Sequence, residues 1–101
     1  MKCAVYDQCY RFAPNEDAVL EFLNNNFVRH YEQLRAPYPL AGHSQWMTGV
    51  HNEYKKKGLK AFIQNMLIKN DVYFVTMSQA IAWMKDPTPL DKIKTFKPWS
   101  C

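Results

Sequence analysis

Between Pro14 and Leu34 the apolar positions Val19, Leu20, Leu23, Phe27, Tyr31 and Leu34 recur mostly at spacings of three and four. That period predicts an amphipathic helix with one apolar face. Pro14-Asn15 marks its start, and Glu16 and Asp17 suit the positive end of the helix in its first turn. Ala36-Pro37-Tyr38-Pro39 must stop it, because neither proline can continue a helix. The segment Tyr38–His43 then predicts a strand, with the prolines at its start or on an edge. Met47 to His51 predicts a loop. A second helix is predicted from residue 52 to about residue 69, with Leu59, Phe62, Ile63, Met66 and Leu67 on its buried side. Asn70-Asp71 forms a turn, and Val72-Tyr73-Phe74-Val75 predicts a strand from its β-branched and aromatic content. Thr76 followed by Gln79 has the spacing of a capping box. It opens a short helix carrying Ala80, Ile81, Trp83 and Met84, which Asp86-Pro87-Thr88-Pro89 ends. The tail to Cys101 reads as irregular, with a helical turn near Leu90–Ile93. With Cys3-Ala4-Val5-Tyr6 as a further short strand, strands and helices alternate. Such alternation predicts an α/β fold of about three βα units, less than half the ring of a (β/α) barrel.

The chain has 101 residues, 48% of them apolar, which makes one domain and no disordered tract. No apolar run approaches the roughly 18–20 residues of a membrane helix, and the first residues lack an apolar leader core. Membrane spanning and self-directed secretion are both disfavoured. The net charge is +4, but the only dense basic run, Lys55-Lys56-Lys57 beside Glu53, reads as a solvated helix face. No nucleic-acid signature accompanies it, so a nucleic-acid partner is not expected. The three cysteines, Cys3, Cys9 and Cys101, form no CxxC and no zinc-finger spacing. Two of them lie at the chain ends, where a staple limits fraying, so they read as disulfide candidates in an oxidising compartment. Their odd number leaves one thiol free or paired to sequence beyond this chain.

Chemistry is sparse. In α/β proteins sites gather at the carboxyl ends of strands, and His43 falls there, followed by Ser44 and Trp46. A histidine can carry and transfer a proton near neutral pH. His30 sits on the first helix between Arg29 and Tyr31, and His51 stands alone in a loop. Asp7, just past the first predicted strand, either orients a histidine or binds nothing. No serine occupies a nucleophile elbow, and glycines at 42, 49 and 58 cannot build a phosphate loop. One candidate acid or base, with no visible metal site or nucleophile, is too little for a complete enzyme.

Several segments together resemble the C-terminal part of animal chitin deacetylase-like proteins, of the polysaccharide deacetylase (NodB-homology) superfamily. They are Cys3-Ala4-Val5-Tyr6-Asp7-Gln8-Cys9, Asn26-Phe27-Val28-Arg29-His30-Tyr31, Arg35-Ala36-Pro37-Tyr38-Pro39-Leu40-Ala41-Gly42-His43-Ser44-Gln45-Trp46, Asp71-Val72-Tyr73-Phe74-Val75-Thr76, Ala82-Trp83-Met84-Lys85-Asp86-Pro87-Thr88-Pro89 and Phe96-Lys97-Pro98-Trp99-Ser100-Cys101. They follow the family order and cover nearly the whole chain. The resemblance implies a NodB-type distorted (β/α) barrel, of which residues 1–101 would be a C-terminal portion. It implies removal of N-acetyl groups from chitin with a divalent metal, usually zinc. In that family an aspartate is the base that activates water, and an Asp-His-His set binds the metal. Leu40 and His43 match the last family motif, whose leucine lines the acetyl pocket and whose histidine is the general acid. Trp46 is then a candidate to stack on a sugar ring, with core packing as the equal alternative.

The family's first aspartate pair and its HxxH-type metal motif have no counterpart here. The resemblance therefore predicts a fragment that binds no metal and is inactive alone, completed by a missing N-terminal half of the domain. Arg35-Ala36-Pro37 copies the letters of the family's arginine motif but falls in a later segment, so that role is not carried over. Ala41-Gly42 replaces bulkier residues before the histidine and is expected to loosen the acetyl pocket. The resemblance also implies an extracellular protein acting on chitin or another N-acetylglucosamine polymer. The alternative from the same residues is a non-catalytic carbohydrate-binding or interaction module.

Overall fold

A computed structural model describes residues 13–100. They form two compact units that divide between Ile68 and Lys69. In the first, α1 (Glu16–Val28) runs into a π-helical turn (Arg29–Leu34), and after an irregular stretch α2 (Glu53–Ile68) follows. In the second, α3 (Met77–Lys85) is followed by two 3-10 turns, Leu90–Thr95 and Lys97–Trp99.

The helix starts follow from local chemistry. The Asn15 side chain accepts from the Ala18 N–H at 2.9 Å, and Glu16 and Asp17 fill the first turn of α1. Thr76 and Gln79 form the expected capping box: the Gln79 N–H donates to Thr76 Oγ1 at 3.2 Å, and the Thr76 N–H donates to Gln79 Oε1 at 2.8 Å. The first helix continues to Leu34, as its periodicity predicts, but its last turns are π-helical. That wider turn shifts the phase of the apolar stripe, so Leu34 is exposed. Arg35 closes the turn in the left-handed region at φ 51°, its side chain donating to the Tyr31 carbonyl at 2.7 Å.

The core of the first unit lies between α1 and α2. Val19, Leu23 and Phe27, four residues apart, face Gly58, Phe62 and Met66. Leu67, placed by the pattern on the buried side, is 66% exposed. Gly58 sets the helix separation. A Cβ there would lie 2.7 Å from both Cβ and Cγ1 of Val19 and 3.0 Å from the Glu16 carbonyl. Gly58→Ala is therefore expected to destabilise the unit by about 1–2 kcal/mol, overpacking outweighing the roughly 1 kcal/mol gain in helix propensity. Thermal melts check this. Adding Val19→Ala should recover part of the loss, and a rise in Tm for Gly58→Ala would contradict the close crossing.

The second unit closes by pinning its aromatic side chains. Trp83 Nε1 donates to the Thr88 carbonyl at 2.9 Å, and Trp99 Nε1 donates to the Gln79 carbonyl at 2.8 Å. Ile93 and Phe96 are its buried apolar residues.

The expected partial (β/α) barrel is not the architecture. The described residues are helices, turns and irregular chain, with no strand among them. Residues 38–43 and 72–75 carry β propensity, but a strand exists only where a neighbouring backbone takes its N–H and C=O groups, and no ladder forms here. The predicted strand Cys3–Tyr6 lies outside the described residues, as do Asp7 and the disulfide candidates Cys3, Cys9 and Cys101. No helix of the described residues is long and apolar enough to cross a membrane.

Candidate functional site

The segment that carries Leu40 and His43 begins where Pro37 and Pro39 exclude helix, and it ends in a 3-10 turn, Ser44–Trp46. His43 occupies the position before that turn, with extended backbone (φ −96°, ψ 140°). Its carbonyl accepts the Trp46 N–H at 3.1 Å, and its side chain is exposed. Leu40 is half-buried. So His43 stands on a turn rather than at the end of a strand.

The turn is anchored by Trp46, which is 7% exposed. Its indole is covered by the ammonium of Lys55, 5.4 Å from the ring centroid, and the same ammonium lies 5.8 Å from the Tyr54 ring. The Tyr54 hydroxyl in turn donates to the Ala13 carbonyl at 2.6 Å. Trp46 is thus packed inside the first unit. Lys55 is 9% exposed and belongs to this anchor, whereas Lys56 and Lys57 form the solvated face that the basic run predicts. Nothing in the spacing of three lysines distinguishes the first. Its burial depends on aromatic rings brought in by tertiary packing.

The loop beyond the turn is tied back on itself. Asn52 Nδ2 donates to the Thr48 carbonyl at 2.9 Å and to the Gln45 carbonyl at 3.4 Å. Gly49 supports this path at φ 88°, a conformation that side chains rarely adopt.

The three histidines occupy separate elements. His30 lies in the π-helical turn, its ring 5.1 Å from that of Tyr38, and its buried Nδ1 has no hydrogen-bond partner among the described residues. His51 sits exposed in the 3-10 turn Val50–Asn52. Among the described residues no group of three or more His, Cys, Asp or Glu side chains is placed to hold a metal ion. The donor set that zinc requires is therefore not offered by these residues.

Tyr38, beside this segment, has its phenol pushed up to about 12 from 10.0, because burial disfavours the phenolate. The folded chain then holds this proton more tightly than the unfolded chain does. Its contribution to stability is full below pH 10 and is lost as pH rises from about 10 to about 12. Urea midpoints at pH 9 and pH 11 should show the fall, and Tyr38→Phe should reduce it. An equal fall in both proteins would remove Tyr38 from the account.

Comparison with known proteins places these residues in a lineage. No family model matches the chain. Over 97 residues, 96% of the chain, it is 40% identical to chitin deacetylase 1 of Bombyx mori. Over 95 residues, 91% of the chain, it is 30% identical to chitin deacetylase 8 of the same organism. The resemblance to chitin deacetylase-like proteins is thus upheld along nearly the whole sequence. It spans 18% and 24% of the length of these two relatives.

Proposed function

We propose that this chain is a C-terminal portion of a chitin deacetylase-like catalytic region, in which His43 is the general acid and Leu40 lines the acetyl pocket. Hydrolysis of an N-acetyl amide expels an amine, and amine departure requires a proton on nitrogen. An exposed imidazole next to a turn anchored by a buried indole is suited to deliver it. The observation that carries the reading is this placement of His43 directly before a 3-10 turn whose Trp46 is fixed from α2. Trp46 acts here by holding the turn. The base and the metal-binding residues of the reaction are supplied, in this reading, by other parts of a longer extracellular protein, and Cys3, Cys9 and Cys101 are its structural half-cystines. The substrate is chitin or a related N-acetylglucosamine polymer, and the chain alone is inactive. Acetate release from an acetylated chito-oligosaccharide tests the reading. The intact protein should release acetate, the 101-residue chain should not, and His43→Ala should abolish release by the intact protein. Full activity of the His43→Ala protein would remove the assignment.

A further inference from the structure

We propose that Lys55 is a positioning residue for His43: its buried ammonium fixes the Trp46 indole and, through it, the turn on which His43 stands. The inference rests on the acid role proposed for His43 and goes beyond it. Lys55 belongs to α2 and not to the segment that carries Leu40 and His43.

The path from the ammonium to His43 is short. The Trp46 N–H donates to the His43 carbonyl at 3.1 Å, and the Met47 N–H donates to the Ser44 carbonyl at 3.1 Å. Where Trp46 sits therefore sets where the backbone of His43 sits. The indole is 7% exposed, and the Lys55 ammonium lies over its ring at 5.4 Å from the centroid. A cation at that range is drawn to the negative face of the ring. The same ammonium lies 5.8 Å from the Tyr54 ring, whose hydroxyl is tied to the Ala13 carbonyl. The far side of the turn is held as well. Asn52 Nδ2 donates to the Gln45 carbonyl at 3.4 Å and to the Thr48 carbonyl at 2.9 Å. Two side chains at the start of α2 thus grip one turn, one by its indole and one by its carbonyls.

The charge on Lys55 needs its own reason. Its side chain is 9% exposed, whereas Lys56 and Lys57 are in solvent. Taking an ammonium out of water is unfavourable. A methionine at this position would cover the same ring with no charge to desolvate. What the ammonium adds is direction. A hydrocarbon chain packs against an indole in many rotations, and a cation favours the ring face alone. The direction matters to a proton donor, because a misplacement of about 1 Å can lower a rate by about 10²-fold.

Two measurements test the proposal. In the full 101-residue chain, hydrogen exchange of the Trp46 amide reports its bond to the His43 carbonyl. Lys55→Met, which keeps the stem and removes the charge, should speed that exchange about tenfold, the scale of one desolvated cation–ring contact. The amides of Phe62 and Met66, in the core of α2, should change far less. Lys55→Arg restores a cation over the ring and should recover most of the protection. In the intact protein, Lys55→Met should lower kcat for an acetylated chito-oligosaccharide by about 10–100-fold with little change in KM. Lys55→Arg should recover much of that rate, and Lys55→Met added to His43→Ala should lower kcat no further. Circular dichroism verifies that each variant is folded. Unchanged Trp46 exchange in Lys55→Met, equal acceleration throughout α2, equal losses in Lys55→Met and Lys55→Arg, or a further loss in the double variant would overturn the proposal. Exchange is read without turnover, so the two readings fail differently. Unchanged exchange beside an inactive His43→Ala overturns the positioning role alone, whereas a fully active His43→Ala overturns the acid role and the positioning role with it.

Discussion

Under the proposed role, replacing His43 by alanine in the intact protein should lower kcat for acetylated chito-oligosaccharide by about 10²–10⁴-fold, the usual contribution of a positioned general acid. KM should change far less, because the proton is needed in the transition state and not for binding. Leu40→Ala should act differently. It removes a pocket wall, so its effect should appear in discrimination between acetyl and larger acyl groups. Steady-state acetate release against acyl size separates the two roles. Equal, uniform losses in both variants would point to a damaged fold.

Phe62→Ala should unfold the first unit at physiological temperature. Phe62 is 1% exposed and meets Phe27 and Tyr38 edge-on, with ring centroids at 6.1 and 6.2 Å. Truncating a buried phenylalanine costs about 3–5 kcal/mol, from lost transfer energy and the cavity left behind. Whole domains are stable by only about 5–15 kcal/mol, and small ones lie at the low end. Little folded population then remains. Phe62→Leu, which keeps most of the volume, should lose about 1–1.5 kcal/mol and stay folded. Leu67→Ala on the exposed side of α2 should stay within about 0.5 kcal/mol of wild type. Denaturant melts of the three variants check the order, and a wild-type melt for Phe62→Ala would contradict the packing of α1 on α2.

What the sequence reveals depends on how local the cause is. Asn15 before two acidic residues and Thr76 three before Gln79 announce helix starts, because the capping bonds lie within one turn. Val19, Leu23 and Phe27 announce a core because their spacing puts them on one face. That Gly58 meets Val19 emerges only once the two helices are packed together. Pairing between strands is not local. Val72 to Val75 has the composition of a strand, yet composition cannot state whether a partner backbone lies beside it. The same limit hid Lys55, whose burial depends on Trp46 and Tyr54, and the phase shift of the π-helical turn, which no residue type dictates. His43 was legible as a candidate from its motif neighbours, while its support by α2 was not.

The central claim is that His43 protonates the departing amine. The most direct measurement compares two leaving groups in the intact protein, an acetylated chito-oligosaccharide and an aryl acetate ester. An aryloxide departs without protonation, whereas an amine does not. The account predicts that His43→Ala collapses amide hydrolysis and leaves ester hydrolysis nearly at the wild-type rate. Equal loss on both substrates, or no loss on the amide, would contradict it.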